Sequence, residues 1–206
     1  MTEDLDTGIG RLLNKVEELG LLDNTYIIFM SDNGGRRKIP REKTQDLNLP
    51  LRNGKGTMYE GGIRVPFMIC GPGIEKDTCS SVPVSGVDLL PTLADLAGGT
   101  IQHERLDGGS LKNLIKGKAD SVQRNQDFLV FHHAVKRKPQ SAIRQGDYKL
   151  VKTYLDNKVE LFDLSKDFEE KNDLANQMPA KRKELEAALE SYLRQARATV
   201  EYKEKR

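Results

Sequence analysis

Two short stretches of this sequence hold the residue types that chemistry needs. The first is Ser31-Asp32-Asn33-Gly34-Gly35. Asp32 and Asn33 offer a carboxylate and a carboxamide, and both present oxygen, the donor that hard cations such as Ca²⁺ or Mg²⁺ prefer. Gly34 and Gly35 let the backbone turn away and leave room for a ligand. Asn-Gly is also a strong turn signal, and a turn and a metal site are compatible here. The second stretch is Arg52-Asn53-Gly54-Lys55-Gly56-Thr57-Met58-Tyr59-Glu60-Gly61-Gly62-Ile63-Arg64. Lys55 stands between two glycines, so an oxyanion can come close to its ammonium. Glycine-rich backbone also lets N–H groups converge on an anion. The stretch is not a P-loop, because Gly56 follows Lys55 where that motif needs Ser or Thr. Its plain alternative is a solvated loop with a chance lysine.

The flanking elements must position these residues. Leu5, Ile9, Leu12, Leu13, Val16 and Leu19 recur at helical spacing and predict a helix over 3–19, stopped by Gly20. The apolar run Tyr26 to Met30 predicts a buried strand of a parallel or mixed sheet. Asp32 and Asn33 then follow the carboxyl end of that strand, where open α/β sheets place ligands. Residues 36–53, with Pro40 and Pro50, read as a long loop. Val65 to Cys70 predicts a second strand, and Val87 to Ala97 a helix with Asp88 as a start residue, not a ligand. A short helix is expected over Ser110 to Lys116. After a polar stretch at 117–126, short strands are expected at Phe128–His132, Ala142–Arg144, Tyr148–Thr153 and Val159–Phe162, and a helix at Pro179–Ala198. The fold class is therefore α/β over residues 1–120. Residues 121–206 form a small α+β domain, an antiparallel sheet with one C-terminal helix.

Composition narrows the function classes. Basic and acidic residues number 33 and 31, which gives no support for nucleic-acid binding. No apolar run approaches the roughly 20 residues that span a bilayer. Cys70 and Cys79 make neither a disulfide framework nor a zinc site. Thr2-Glu3-Asp4 is acidic where a secretory signal would be basic. The helix-first opening suits a fragment or truncated frame.

Several stretches, taken in order, resemble the sulfatase family. They are Glu3 to Gly10, Ser31 to Gly35, Gly54 to Pro66, Val87-Asp88-Leu89-Leu90-Pro91-Thr92-Leu93 and Leu106-Asp107-Gly108-Gly109-Ser110-Leu111. Ala142 to Leu150, Leu161 to Leu164 and Glu169 to Leu174 follow. The resemblance implies a partial alkaline-phosphatase-like sandwich followed by a smaller antiparallel domain. It implies that Asp32 and Asn33 ligate a divalent cation, usually calcium, and that Lys55 contacts the sulfate of a sulfate ester, on a sugar or an aryl group. His132 and His133, with Lys136, Arg137 and Lys138 after them, could read an anionic sugar, although a solvated loop is the preferred reading. The same choice holds for Arg36, Arg37, Lys38, Arg41 and Lys43 as a polyanion path. His103 is assigned nothing.

The family's nucleophile is a formylglycine made in a Cys-x-Pro-x-Arg context. Cys70-Gly71-Pro72-Gly73-Ile74 misses it, with Ile74 in the arginine's place. A hard cation wants about six oxygen ligands, and Asp32 with Asn33 supplies only part of that. The chain by itself is thus expected to be inactive, its parent a metal-dependent sulfatase that is periplasmic or secreted. The alternatives are a phosphodiesterase or phosphonate hydrolase of the same fold group, or a non-catalytic module that binds sulfated glycans.

Overall fold

The computed structural model describes residues 2–36, 48–101, 106–134 and 138–200. Arg37, Lys38, Arg41, Lys43, His103, Lys136 and Arg137 lie outside the described residues. In chain order the elements are α1 (Thr2–Glu18), β1 (Ile27–Met30), α2 (Glu60–Ile63), β2 (Phe67–Cys70), α3 (Leu89–Leu96), α4 (Lys112–Ile115), β3 (Phe128–His133), β4 (Gln140–Gln145), β5 (Tyr148–Thr153), β6 (Lys158–Asp163) and α5 (Pro179–Gln195). They fall into two compact units. One comprises Met1–Met30 with Pro66–Asn125, the other Ser31–Val65 with Gln126–Arg206.

In the first unit β1 and β2 pair antiparallel, with Ile27 opposite Cys70 and Met30 opposite Phe67. The sequence predicts a buried strand in a parallel or mixed sheet. Instead β1 is half-buried, and Met30 is exposed. The described residues cover it only in part. The predicted stripe of α1 is present, yet no residue of that helix is buried, and Leu5 and Leu12 are 56% and 64% exposed. Amphipathic spacing says which side of a helix can be buried, not what will bury it.

Part of this unit is built around a buried carboxylate. Asp88 is fully buried. Its carboxylate accepts the Ser85 N–H at 2.8 Å and the Gly109 N–H at 3.0 Å. Arg124 adds a two-pronged bond through Nε and Nη2, at 2.8 and 2.7 Å. Ser85 and Asp88 form a reciprocal cap at the 3₁₀ turn Gly86–Asp88 that leads into α3. Asp88 is therefore a helix-start residue, and it also ties that start to two later segments.

In the second unit β3, β4, β5 and β6 form an antiparallel meander. Two of its turns sit at Gly146 and Asn157, both with positive φ, 57° and 51°. Side chains alternate between the two faces of the sheet. Ile143, Leu150 and Leu161 point to one face, where Leu185 and Leu189 of α5 and Ala175 close the core. Ala142, Val151 and Phe162 point to the other, and Met58 and Tyr59 pack there. The sequence predicts α5 as the sheet's only cover. The structure adds the lysine-bearing segment just before α2 on the opposite face.

Candidate anion and cation site

The glycine-rich segment 52–62 folds back tightly on itself. Gly61 N–H donates to Arg52 O at 2.9 Å, Thr57 N–H to Gly54 O at 3.1 Å, and Gly62 N–H to Tyr59 O at 2.8 Å. Its glycines serve two different needs. Gly56 has φ +83°, with open space where a Cβ would stand, so its requirement is conformational. Gly61 and Gly62 have ordinary φ but no room. A Cβ on Gly61 would lie 2.3 Å from Asn53 O, and one on Gly62 would lie 2.2 Å from Thr57 O.

The same segment receives the Asp32-Asn33 stretch. Gly34 N–H donates to Gly62 O at 3.0 Å, and Lys55 N–H donates to Gly35 O at 2.9 Å. The Asn48 carboxamide reinforces the junction, donating to Gly35 O at 2.9 Å and Asn53 O at 3.0 Å. The main chain of Lys55 is thus bonded three residues beyond Asp32. The side chains of Asp32 and Lys55 are exposed and that of Asn33 is half-buried. Among the described residues, neither the Asp32 carboxylate nor the Asn33 carboxamide spends its oxygens on a side-chain hydrogen bond. Both remain available to a ligand.

His132 and His133 lie at the end of β3, and both are exposed. His132 Nδ1 is 2.7 Å from Ser141 Oγ, and Nε2 is 3.2 Å from Thr199 O. Both ring nitrogens therefore already have partners. His133 stands opposite Gln140, whose Oε1 accepts the Met58 N–H at 3.2 Å. That neighbour links the end of β3 to the lysine segment. An open groove of about 730 Å³ lies elsewhere in this unit, between residues 49–53, Phe162 and Asp173. Lys55, Asp32 and Asn33 do not line it.

Beneath the segment lies a buried polar network that the sequence reading missed. Lys149 Nζ is 2.8 Å from Glu60 Oε1 and 2.8 Å from Glu170 Oε1. Glu60 N–H donates to Glu170 Oε2 at 2.7 Å. Arg52 donates to Glu170 O at 2.9 Å and Glu160 Oε1 at 3.2 Å, and its guanidinium lies 4.0 Å from the Tyr59 ring centroid. The Tyr59 hydroxyl donates to Glu160. Burial pushes the Tyr59 hydroxyl well above the usual phenol range, and Glu160 adds to the shift. Burial also raises Glu170, more than the attraction of Lys149 lowers it. Burial pushes Glu160 upward too, but Tyr59, Lys158 and Arg52 outweigh it and hold that carboxyl below its usual value. One signal for the network was legible. Lys149 precedes Val151, and Glu160 precedes Phe162, each by two residues on its strand, so both charges face inward with apolar neighbours.

Comparison with known proteins places these observations in a family. A sequence model described as Sulfatase matches residues 1–99, and one described as N-sulphoglucosamine sulphohydrolase, C-terminal, matches residues 53–199. A sulfatase of Formosa agariphila is 34% identical over 200 residues, covering 86% of this chain and 35% of that protein. Human arylsulfatase A is 37% identical over 149 residues, covering 71% of this chain and 28% of that protein. The chain thus spans about a third of the length of these relatives. A crystal structure of Ps i-CgsB in complex with k-i-k-neocarrahexaose superposes with a TM-score of 0.76 at 30% identity, covering 93% of this chain and 41% of that one. The chain has part of the fold of the alkaline-phosphatase-like α/β hydrolases, covering 41% and 39% of two superposed structures. The two family models overlap on the lysine segment and together run from residue 1 to residue 199, so the chain belongs to the sulfatase family.

Proposed function

We propose that this chain supplies the anion-binding lysine and part of the cation site of a sulfate-ester hydrolase acting on sulfated carbohydrate. One observation carries the proposal. The Asp32-Asn33 stretch and the Lys55 loop, separate in sequence, are joined main chain to main chain at Gly34–Gly62 and Gly35–Lys55. The relatives' names support the ester class, and the oligosaccharide bound to the superposed structure supports the sugar.

Lys55 would take a sulfate oxygen. Its flanking glycines keep the approach open, and its charge would stabilise the negative charge that grows on the sulfate as the ester bond breaks. The donors of Asp32 and Asn33 are oxygens that remain available, which fits a hard cation such as Ca²⁺. When bound, that cation would supply Lewis-acid polarisation of sulfate oxygens. Asp32 and Asn33 are two side chains of the roughly six to eight oxygens such an ion takes. Among the described residues no group of three or more His, Cys, Asp or Glu stands together as a metal site, so the remaining ligands are assigned elsewhere. No Cys or Ser of this chain has the sequence context of a formylglycine, so nucleophilic attack is assigned to none of its residues.

The test is a titration of the 206-residue chain with inorganic sulfate, with and without Ca²⁺, followed by amide NMR. Shifts centred on Gly35 and Lys55 are expected, with the sulfate response lost in Lys55→Ala. An aryl sulfate should not be turned over by this chain alone. Shifts that avoid the loop, or a response unchanged in Lys55→Ala, would remove the assignment.

A further inference from the structure

Glu60, Lys149 and Glu170 have no part in the chemistry above, yet all three are buried, with Lys149 wholly so. A buried ammonium needs partners, and here two carboxylates supply them. Stability alone is a weak reason to keep such a cluster, because apolar residues of similar volume often do as well. What the cluster does is mechanical. Glu60 opens α2, five residues after Lys55. Lys149 comes from β5, and Glu170 from the segment after β6. Glu170 grips the lysine segment at both ends, accepting the Glu60 N–H on its carboxylate and the Arg52 guanidinium on its carbonyl.

We propose that Lys149 is a positioning residue: through Glu60 and Glu170 it clamps the loop carrying Lys55 onto the C-terminal sheet and so fixes where that loop presents its charge. The inference deepens the anion-site proposal, and only its sulfate arm rests on that proposal. The opposite face of the sheet keeps its own core with α5, built from Ile143, Leu150, Leu161, Leu185 and Leu189. Cutting the clamp therefore loosens one face and leaves the other. Met58 and Tyr59 keep their apolar contacts in this case, so the loop opens without the unit unravelling.

The experiment is native-state hydrogen exchange on the 206-residue chain, comparing wild type with Lys149→Met. The amides of Lys55, Glu60 and Gly61 are expected to exchange about a hundred-fold faster. The ladder amides of β4 and β5 should change far less. An equal acceleration of all these amides, or none at the loop, would overturn the proposal. Glu60→Gln keeps the size and an acceptor for Lys149 while removing its charge. It should give the same pattern at smaller amplitude, and it decides the matter by the same criterion if Lys149→Met does not fold. A parallel titration with inorganic sulfate, read at the Lys55 amide, should shift its midpoint upward by about ten-fold in Lys149→Met, in keeping with the loss of preorganisation. If wild type ignores sulfate while the exchange pattern appears, the clamp stands and the sulfate reading falls. If exchange rises uniformly, the clamp falls whatever sulfate does.

Discussion

The junction between the two motifs can be broken with one methyl group. A Cβ built on Gly34 lies 1.8 Å from Gly61 O, 2.7 Å from Gly61 C and 3.0 Å from Gly62 Cα. All three atoms are backbone, so no side chain can swing aside, and Gly34→Ala must push the segments apart by more than an ångström. That movement also stretches the Gly34–Gly62 hydrogen bond, now 3.0 Å, beyond bonding range. Overpacking costs about 1–3 kcal/mol, and a lost hydrogen bond about 0.5–1.5 kcal/mol. We expect a loss of about 2–4 kcal/mol. Urea unfolding read by tyrosine fluorescence suits the measurement, because the chain has no Trp and Tyr59, Tyr148, Tyr154 and Tyr192 all belong to the same unit as Gly34. Gly8→Ala is the control. Gly8 lies in α1 of the other unit, and a methyl group there would meet nothing within 4 Å, so alanine should leave the midpoint read by these four tyrosines unchanged. A loss under about 1 kcal/mol for Gly34→Ala, with the Lys55 and Gly34 amides still protected from exchange, would show that the segments are not apposed in this way. The link between Asp32 and Lys55 would then be lost.

Three further outcomes are expected. Asp88→Ala leaves the half-buried Arg124 guanidinium with the Pro83 carbonyl and takes the acceptor from two N–H groups, and should lower the stability of the first unit by about 2–4 kcal/mol in thermal denaturation; Asp88→Asn should cost less. Glu160 has a folded-state pKa held below the ordinary glutamate value of 4.5, so its contribution is present above that pH and lost as pH falls through the lowered value. The acid side of a urea-midpoint versus pH curve should therefore be shallower in Glu160→Gln than in wild type. Leu189→Ala empties a fully buried position between α5 and the sheet, and should cost about 2–5 kcal/mol by the same urea assay.

Local pattern alone determined much of this protein. The strand Tyr148–Thr153 is read residue for residue from alternation and the flanking turns, and α5 is read from its Leu185-Leu189 stripe and Pro179 at its start. Asp88 was legible as a helix start, because capping acts within a few residues. The Asp-Asn pair and the glycine-flanked lysine were legible as residue types that suit a cation and an anion.

Tertiary structure alone decided what each pattern meets. An amphipathic face does not name its partner, so α1 keeps an exposed stripe while the sheet of the second unit is covered twice. The clamp on the lysine loop joins Glu60 to Lys149 and Glu170, partners 89 and 110 residues away in sequence. Periodicity carries no information over such separations, because a buried charge is tolerated only when folding delivers its counter-charge through space.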